Sequence, residues 1–142
     1  MSFTAQVKEE LSLLKQPSCC NISECYGMLI FARNFCLNKM NFQTSSEAAA
    51  KRCVHRIRTC FSVLPEFAVG GDSRKTYRVS VKGEADRKKI LIALGHLDKS
   101  EYINTDVLKR DCCVHAFLRG VFLSCGQVSD PEQDYRLELC VK

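Results

Sequence analysis

Apolar side chains recur along this chain at two spacings, and the switches between them mark out its elements. Residues 4 to 15 carry Val7, Leu11 and Leu14 at helical spacing, with Thr4 as the expected N-cap and Pro17 beyond the end. A second helix is expected over 21 to 36. From 39 to 44 the period falls to two. Met40 and Phe42 point one way and Lys39, Asn41 and Gln43 the other, the pattern of a half-buried strand. Ala49, Cys53, Ile57 and Cys60 then run down one face of a long helix over 45 to 64, capped by Ser45 or Ser46 and stopped by Pro65. A short strand at 66 to 69, a glycine-rich turn at 70 to 75 and a strand at 76 to 82 follow. In the last of these Tyr77, Val79 and Val81 face inward, Arg78, Ser80 and Lys82 outward. The helix over 84 to 95 has the stripe Ile90, Leu91 and Leu94 and stops at Gly95. The helix over 111 to 125 has a broad stripe of Val114, Phe117, Leu118, Val121, Phe122 and Cys125. A turn at 129 to 134 leads into a closing strand over 135 to 142, with Tyr135, Leu137, Leu139 and Val141 on one face. Strands joined by short turns, interleaved with helices, predict an α+β fold: an antiparallel sheet with helices on one face.

Two of these helices look like copies of one unit. With Cys20 set against Cys113, an offset of 93 residues, Cys19-Cys20 falls on Cys112-Cys113 and Gly27 on Gly120. Met28, Leu29 and Ile30 fall on Val121, Phe122 and Leu123, and each helix precedes an alternating strand. The first copy is assigned to residues 1–98. The second begins within 99–142 of the same domain and breaks off after its first strand. Glycine inside a helix costs up to about 1 kcal/mol relative to alanine, and is retained where another backbone must come close. Gly27 and Gly120, with Ala116 and Ser124 four residues to either side of Gly120, are therefore expected at an interface between the repeat helices.

Composition narrows the possibilities only a little. The chain has 142 residues, 46 % hydrophobic and 26 % charged, enough for one globular domain with a real core. Its net charge of +5 suits a polyanionic partner without requiring one. No apolar run resembles a signal peptide or reaches membrane-spanning length. A cytoplasmic location without membrane contact is expected, and with it ten reduced cysteines rather than a disulfide framework. The two Cys-Cys pairs could in principle form a four-thiolate zinc site. Structural zinc is more usually held by CxxC knuckles, and adjacent cysteines entering a helix are expected to diverge. The pairs are thus read as structural or helix-capping, with no metal or other cofactor, a zinc-stabilised module and redox sensing being kept as alternatives. Cys25, Cys53, Cys60 and Cys125 fall on apolar helix faces and behave as small hydrophobes. No Ser-His-Asp, P-loop or GxGxxG pattern is present. Lys51, Arg52, His55, Arg56 and Arg58 on the long helix are read mainly as a solvated basic face.

CYGMLIFAR (25 to 33) and LRGVFLSCG (118 to 126) resemble degenerate LAGLIDADG helices of the homing-endonuclease fold. Together with MSFTAQVKEEL and DCCVHAFLRGVFLSCGQVSDPEQDYRLEL, they make the chain resemble the WhiA family of sporulation and cell-division regulators. The resemblance implies a LAGLIDADG-like domain followed, in the family, by a helix-turn-helix region that this chain lacks. It also implies a DNA-binding, nucleoid-associated transcription regulator. The endonuclease mechanism needs an acidic metal ligand at the eighth position of each motif. Those positions are Ala32 and Cys125, so no catalytic residue is assigned and the domain is expected to be no enzyme. In the endonuclease fold the open sheet face sits over duplex DNA. The residues this implies are Lys39, Asn41, Gln43, Arg78, Lys82 and Arg136, with Arg74 and Lys75 in the hairpin turn. Such side chains suit phosphate and base contacts, but the open face of any antiparallel sheet is polar. The alternative is a scaffold for a protein partner, with DNA left to the helix-turn-helix. Apolar surface on 111–125 and 135–141 is expected to lack cover and to pair with a second copy of the chain.

Overall fold

The computed structural model describes residues 2–98 and 102–141. In chain order it contains α1 (Phe3–Leu11), α2 (Cys19–Ile30), β1 (Asn34–Phe35), β2 (Met40–Thr44), α3 (Glu47–Phe61), β3 (Glu66–Gly70), β4 (Thr76–Ser80), α4 (Glu84–Leu94), a 3-10 turn at Thr105–Val107, α5 (Asp111–Cys125), β5 (Gly126–Val128) and β6 (Leu137–Leu139). The expected junction between the two copies abuts residues 99–101, and the closing strand's last residue is 142. These four residues lie outside the described ones.

The main sheet is antiparallel throughout, in the order β1-β2-β4-β3. Met40, Phe42 and Val79 are fully buried on the helix side, where they join Tyr26, Met28, Leu29, Ile57, Ile90 and Leu123 in one core. β5 and β6 form a separate two-stranded ribbon, Gln127 opposite Glu138. The α+β class with an antiparallel sheet is as expected, and local chemistry explains most element ends. The Ser46 hydroxyl accepts from the Ala49 N–H at the start of α3. Gly95 ends α4 with φ +76°, a conformation that favours glycine.

Several boundaries differ from expectation, among them the end of the long helix, which stops at Phe61 rather than 64, and that of β4, which stops at Ser80 rather than 82. α1 is capped by Ser2, whose hydroxyl accepts from the Ala5 N–H. Thr4 lies inside the helix and exchanges hydrogen bonds with the backbone of Val128. α1 stops at Leu11, and Leu13 and Leu14 are exposed. α2 ends at Ile30, because Phe35 pairs with Met40 to open the sheet. The closing strand shrinks to three residues, matching the three-residue partner that α5 delivers.

Candidate nucleic-acid interface

α2 and α5 form the principal helix–helix contact of the molecule, and both interior glycines lie at their crossing. A Cβ on Gly27 would overlap the carbonyl oxygen of Phe117, and one on Gly120 would overlap that of Glu24. Glu24 and Phe117 are themselves separated by the repeat offset, so the crossing is a pseudo-two-fold. Ala116 is fully buried beside it, whereas Ser124 lies farther along α5 and lines a cleft.

Beside the crossing lies a buried ion network that sequence reasoning missed. Glu24 is fully buried. Arg52 donates through Nε and Nη2 to its two carboxylate oxygens, at 2.5 and 2.9 Å. Arg119 donates at 2.8 Å and Arg56 at 3.3 Å. Arg52 also donates to the carbonyls of Ser12 and Leu14, fastening the segment after α1. Burial alone would raise the Glu24 pKa. The hydrogen bonds from Arg52 and Arg119 outweigh it and hold the carboxyl below its ordinary value. Arg52 and Arg56 are therefore corrected from a solvated face to the interior, whereas Lys51 is exposed and pairs with Glu47. The available signal was Glu24 itself, a charge set among the apolar positions of α2.

The ends of α2 and α5 open into a cleft of about 500 Å³. Ala32 and Cys125, the two positions at which the endonuclease pattern needs acids, both line it. Among the described residues, none that lines it carries a carboxylate side chain, whereas Lys8 and Arg33 are cationic. Burial lowers the Lys8 pKa, with the neighbouring Cys125 opposing; burial likewise raises the Cys125 thiol, with Lys8 opposing.

The expected contact residues are distributed unevenly. Cross-strand register puts Gln43 beside Arg78 and Arg78 beside Ala68 on one face, and Arg78 Nη2 donates to Gln43 Oε1 at 3.3 Å. Asn41 and Ser80 share that face but are buried; Asn41 accepts from the Asn34 amide and lines the cleft. Asn41 is thus corrected from an outward to a buried position. Lys39 and Lys82 are exposed beyond one end of β2 and β4, Arg74 and Lys75 in the turn beyond the other. Arg136 is corrected as well. It lies in the connection between β5 and β6, just before β6, rather than in the main sheet, and forms ion pairs with Asp134 and Glu138. β3 adds Glu66, opposite Ser80, to the same face.

The paired cysteines converge, contrary to the expected divergence. The repeat symmetry brings the first turns of α2 and α5 together, and the thiols of Cys19, Cys20, Cys112 and Cys113 all lie within 4.8 Å of one another. Cys19 Sγ is 3.7 Å from Cys112 Sγ and 4.0 Å from Cys20 Sγ. Cys20 and Cys113 are buried, the other two partly so. The contact with Cys112, and then burial, raises Cys19; burial pushes Cys20 up to about 12. At Cys113 burial also opposes ionisation, but hydrogen bonds with Ser23 and the Arg110 backbone bring the thiol below its ordinary value.

Two repeat helices crossing at glycines, each running into a strand, with an antiparallel sheet alongside, define a LAGLIDADG-like domain. The fold matches the crystal structure of the N-terminal LAGLIDADG domain of DUF199/WhiA with a TM-score of 0.68 at 23 % identity, over 99 % of this chain and 67 % of that one. It matches full-length DUF199/WhiA from Thermatoga maritima with a TM-score of 0.67 at 23 % identity, over 98 % and 44 %. Residues 114–142 match the family described as the WhiA LAGLIDADG-like domain. In sequence the chain is 31 % identical to the probable cell division protein WhiA of Ruminiclostridium cellulolyticum and 26 % identical to that of Syntrophomonas wolfei. Each match covers 98 % of this chain, and 48 % and 49 % of the relatives. The chain is thus similar over nearly its whole length to WhiA proteins, and spans about half the length of the curated relatives it matches. Among the described residues no helix is long and apolar enough to cross a membrane.

Proposed function

We propose that this chain is a catalytically inactive, DNA-binding LAGLIDADG-like domain of a WhiA-type regulator of cell division or sporulation, acting on the nucleoid in the cytoplasm. The observation that carries the reading is the cleft. Its two helix ends hold Ala32 and Cys125 where metal-dependent phosphodiester cleavage needs paired oxygen ligands, and its charged lining residues, Lys8 and Arg33, are cations. Such a cleft suits a phosphate backbone and offers no hard-metal ligand set. Gln43 and Arg78 on the sheet face, with Lys39, Lys82, Arg74 and Lys75 at its two ends, extend a surface suited to DNA. Relatives carrying the cell-division name support the regulatory role.

A second reading, a scaffold for a protein partner, is favoured by the exposed apolar residues Leu118, Leu137 and Leu139. Fluorescence anisotropy with random duplex DNA, across a salt series containing magnesium and followed by a gel for nicks, separates the two. The DNA reading predicts binding that weakens with salt and leaves the duplex intact. Absence of binding at low salt transfers the role to protein contacts, and nicks overturn the assignment of inactivity.

A further inference from the structure

Four thiols from two sequence-distant pairs meet at one point, and the proposed DNA contacts do not use them. We propose that Cys19, Cys20, Cys112 and Cys113 form a structural Zn²⁺ site that clamps the two repeat helices together at their N-terminal ends. The spacing fits the ion. Zinc–thiolate bonds of about 2.3 Å in tetrahedral geometry place sulfur atoms about 3.8 Å apart. The Cys19–Cys112 and Cys19–Cys20 separations are 3.7 and 4.0 Å, and no pair among the four exceeds 4.8 Å. Rotamer adjustments of a few tenths of an ångström to about 1 Å close the tetrahedron.

The ligand chemistry selects a thiophilic cation. An all-thiolate set suits zinc and is a poor host for magnesium or calcium, which require oxygen ligands. Four thiolates around Zn²⁺ carry a net double negative charge, and this charge lies at the starts of α2 and α5. There the helix dipoles favour an anion. Outer contacts already hold part of the set. The Ser23 hydroxyl donates to the Val107 carbonyl at 2.8 Å, fixing the loop before α5, whereas the thiol hydrogen bond from Cys113 to the Cys19 carbonyl would be given up when the metal displaces its proton. The half-buried Cys19 and Cys112 leave a route for the ion.

The pseudo-two-fold gives the site its purpose. Each repeat contributes one Cys-Cys pair, related by the same offset as the crossing glycines. Gly27 and Gly120 set how closely α2 and α5 approach, and a metal at their first turns sets the angle between them. The far ends of these helices line the cleft, so the clamp would fix its width.

The test is anaerobic titration of the reduced full chain with Co²⁺ and then Zn²⁺. One equivalent of cobalt should develop the intense visible bands and sulfur-to-metal charge transfer of a tetrahedral tetrathiolate, and one equivalent of zinc should remove them. Zinc should also raise the thermal midpoint. Cys112→Ser should weaken metal binding by about 100-fold or more, while Cys36→Ser and Cys140→Ser, outside the cluster, leave it unchanged. Circular dichroism of the metal-free variants separates lost ligation from lost folding. Freely titratable thiols with no cobalt spectrum would overturn the site. So would a spectrum indifferent to Cys112→Ser, an iron–sulfur chromophore, or a Cys19–Cys112 disulfide persisting beside excess zinc.

Discussion

Glu24 shows how much one side chain can carry in this protein. Its carboxylate is fully buried and faces three guanidinium groups drawn from α3 and α5. Removing one partner of such a network leaves the others buried without compensation, at a cost of about 3–5 kcal/mol. Glu24→Gln should lower the unfolding free energy from urea denaturation correspondingly, whereas Glu47→Gln, in an exposed pair with Lys51, should change it by less than about 1 kcal/mol, roughly the limit for surface pairs. The pH dependence has a definite sign. The folded-state pKa of Glu24 is depressed below its ordinary 4.5. Its stabilising contribution is therefore complete above that value and is lost as pH falls through the folded pKa. Urea midpoints measured downward from pH 5 should fall for the parent chain, and less steeply for Glu24→Gln. Gly27 makes a second prediction at this scale. Its missing Cβ leaves room for the Phe117 carbonyl, a backbone atom that cannot rotate away. Gly27→Ala should destabilise by about 1–3 kcal/mol or more despite its better helix propensity, and a thermal midpoint at or above the parent's would contradict the close crossing.

Among the elements, β2 and β4 bring Gln43 and Arg78 together, and the turns around them supply the lysines and arginines. The charge is thus concentrated at the ends of the sheet rather than along its face, where Glu66 and Ala68 also sit. A surface of this kind suits phosphate contact more than base readout. Charge reversal at Arg78 and Lys82 should therefore weaken binding to all duplex sequences alike. The slope of log affinity against log salt should fall by about one for each phosphate that is no longer neutralised. A change in sequence preference without a change in slope would point to base contacts instead.

Over the whole molecule, the apolar inventory is unbalanced. The main sheet buries its inner face under helices, but the β5–β6 ribbon has Leu137 and Leu139 exposed, with Tyr135 and Val141 exposed beside it and Leu118 exposed on α5. A free strand edge next to apolar side chains is a template for pairing. The chain is expected to self-associate through this segment. Light scattering should give a mass above the monomer at high concentration, and Leu137→Lys with Leu139→Lys should return it to the monomer. A clean monomer in the parent chain would rule this out.

Much of this architecture was legible in local pattern, because the local pattern is its cause. The period-two runs at Met40–Phe42 and Tyr77–Val81, the Gly95 cap and the matched glycines report the backbone directly, whereas the long helix stops at Phe61 on a left-handed Ser62, before the Pro65 that was expected to end it. The positions Ala32 and Cys125 were legible for the same reason, since a motif position is a matter of counting. Local pattern did not reveal which residues meet. Arg52 and Arg56 have the spacing of a solvated face, and only the packing of α3 against α2 turns them onto Glu24. Asn41 alternates outward but is buried. The Cys-Cys pairs diverge when each helix is considered alone, yet their thiols converge where two helix ends approach across a pseudo-two-fold. Periodicity fixes a side chain's direction relative to its own element; the identity of its neighbour depends on how separate elements pack.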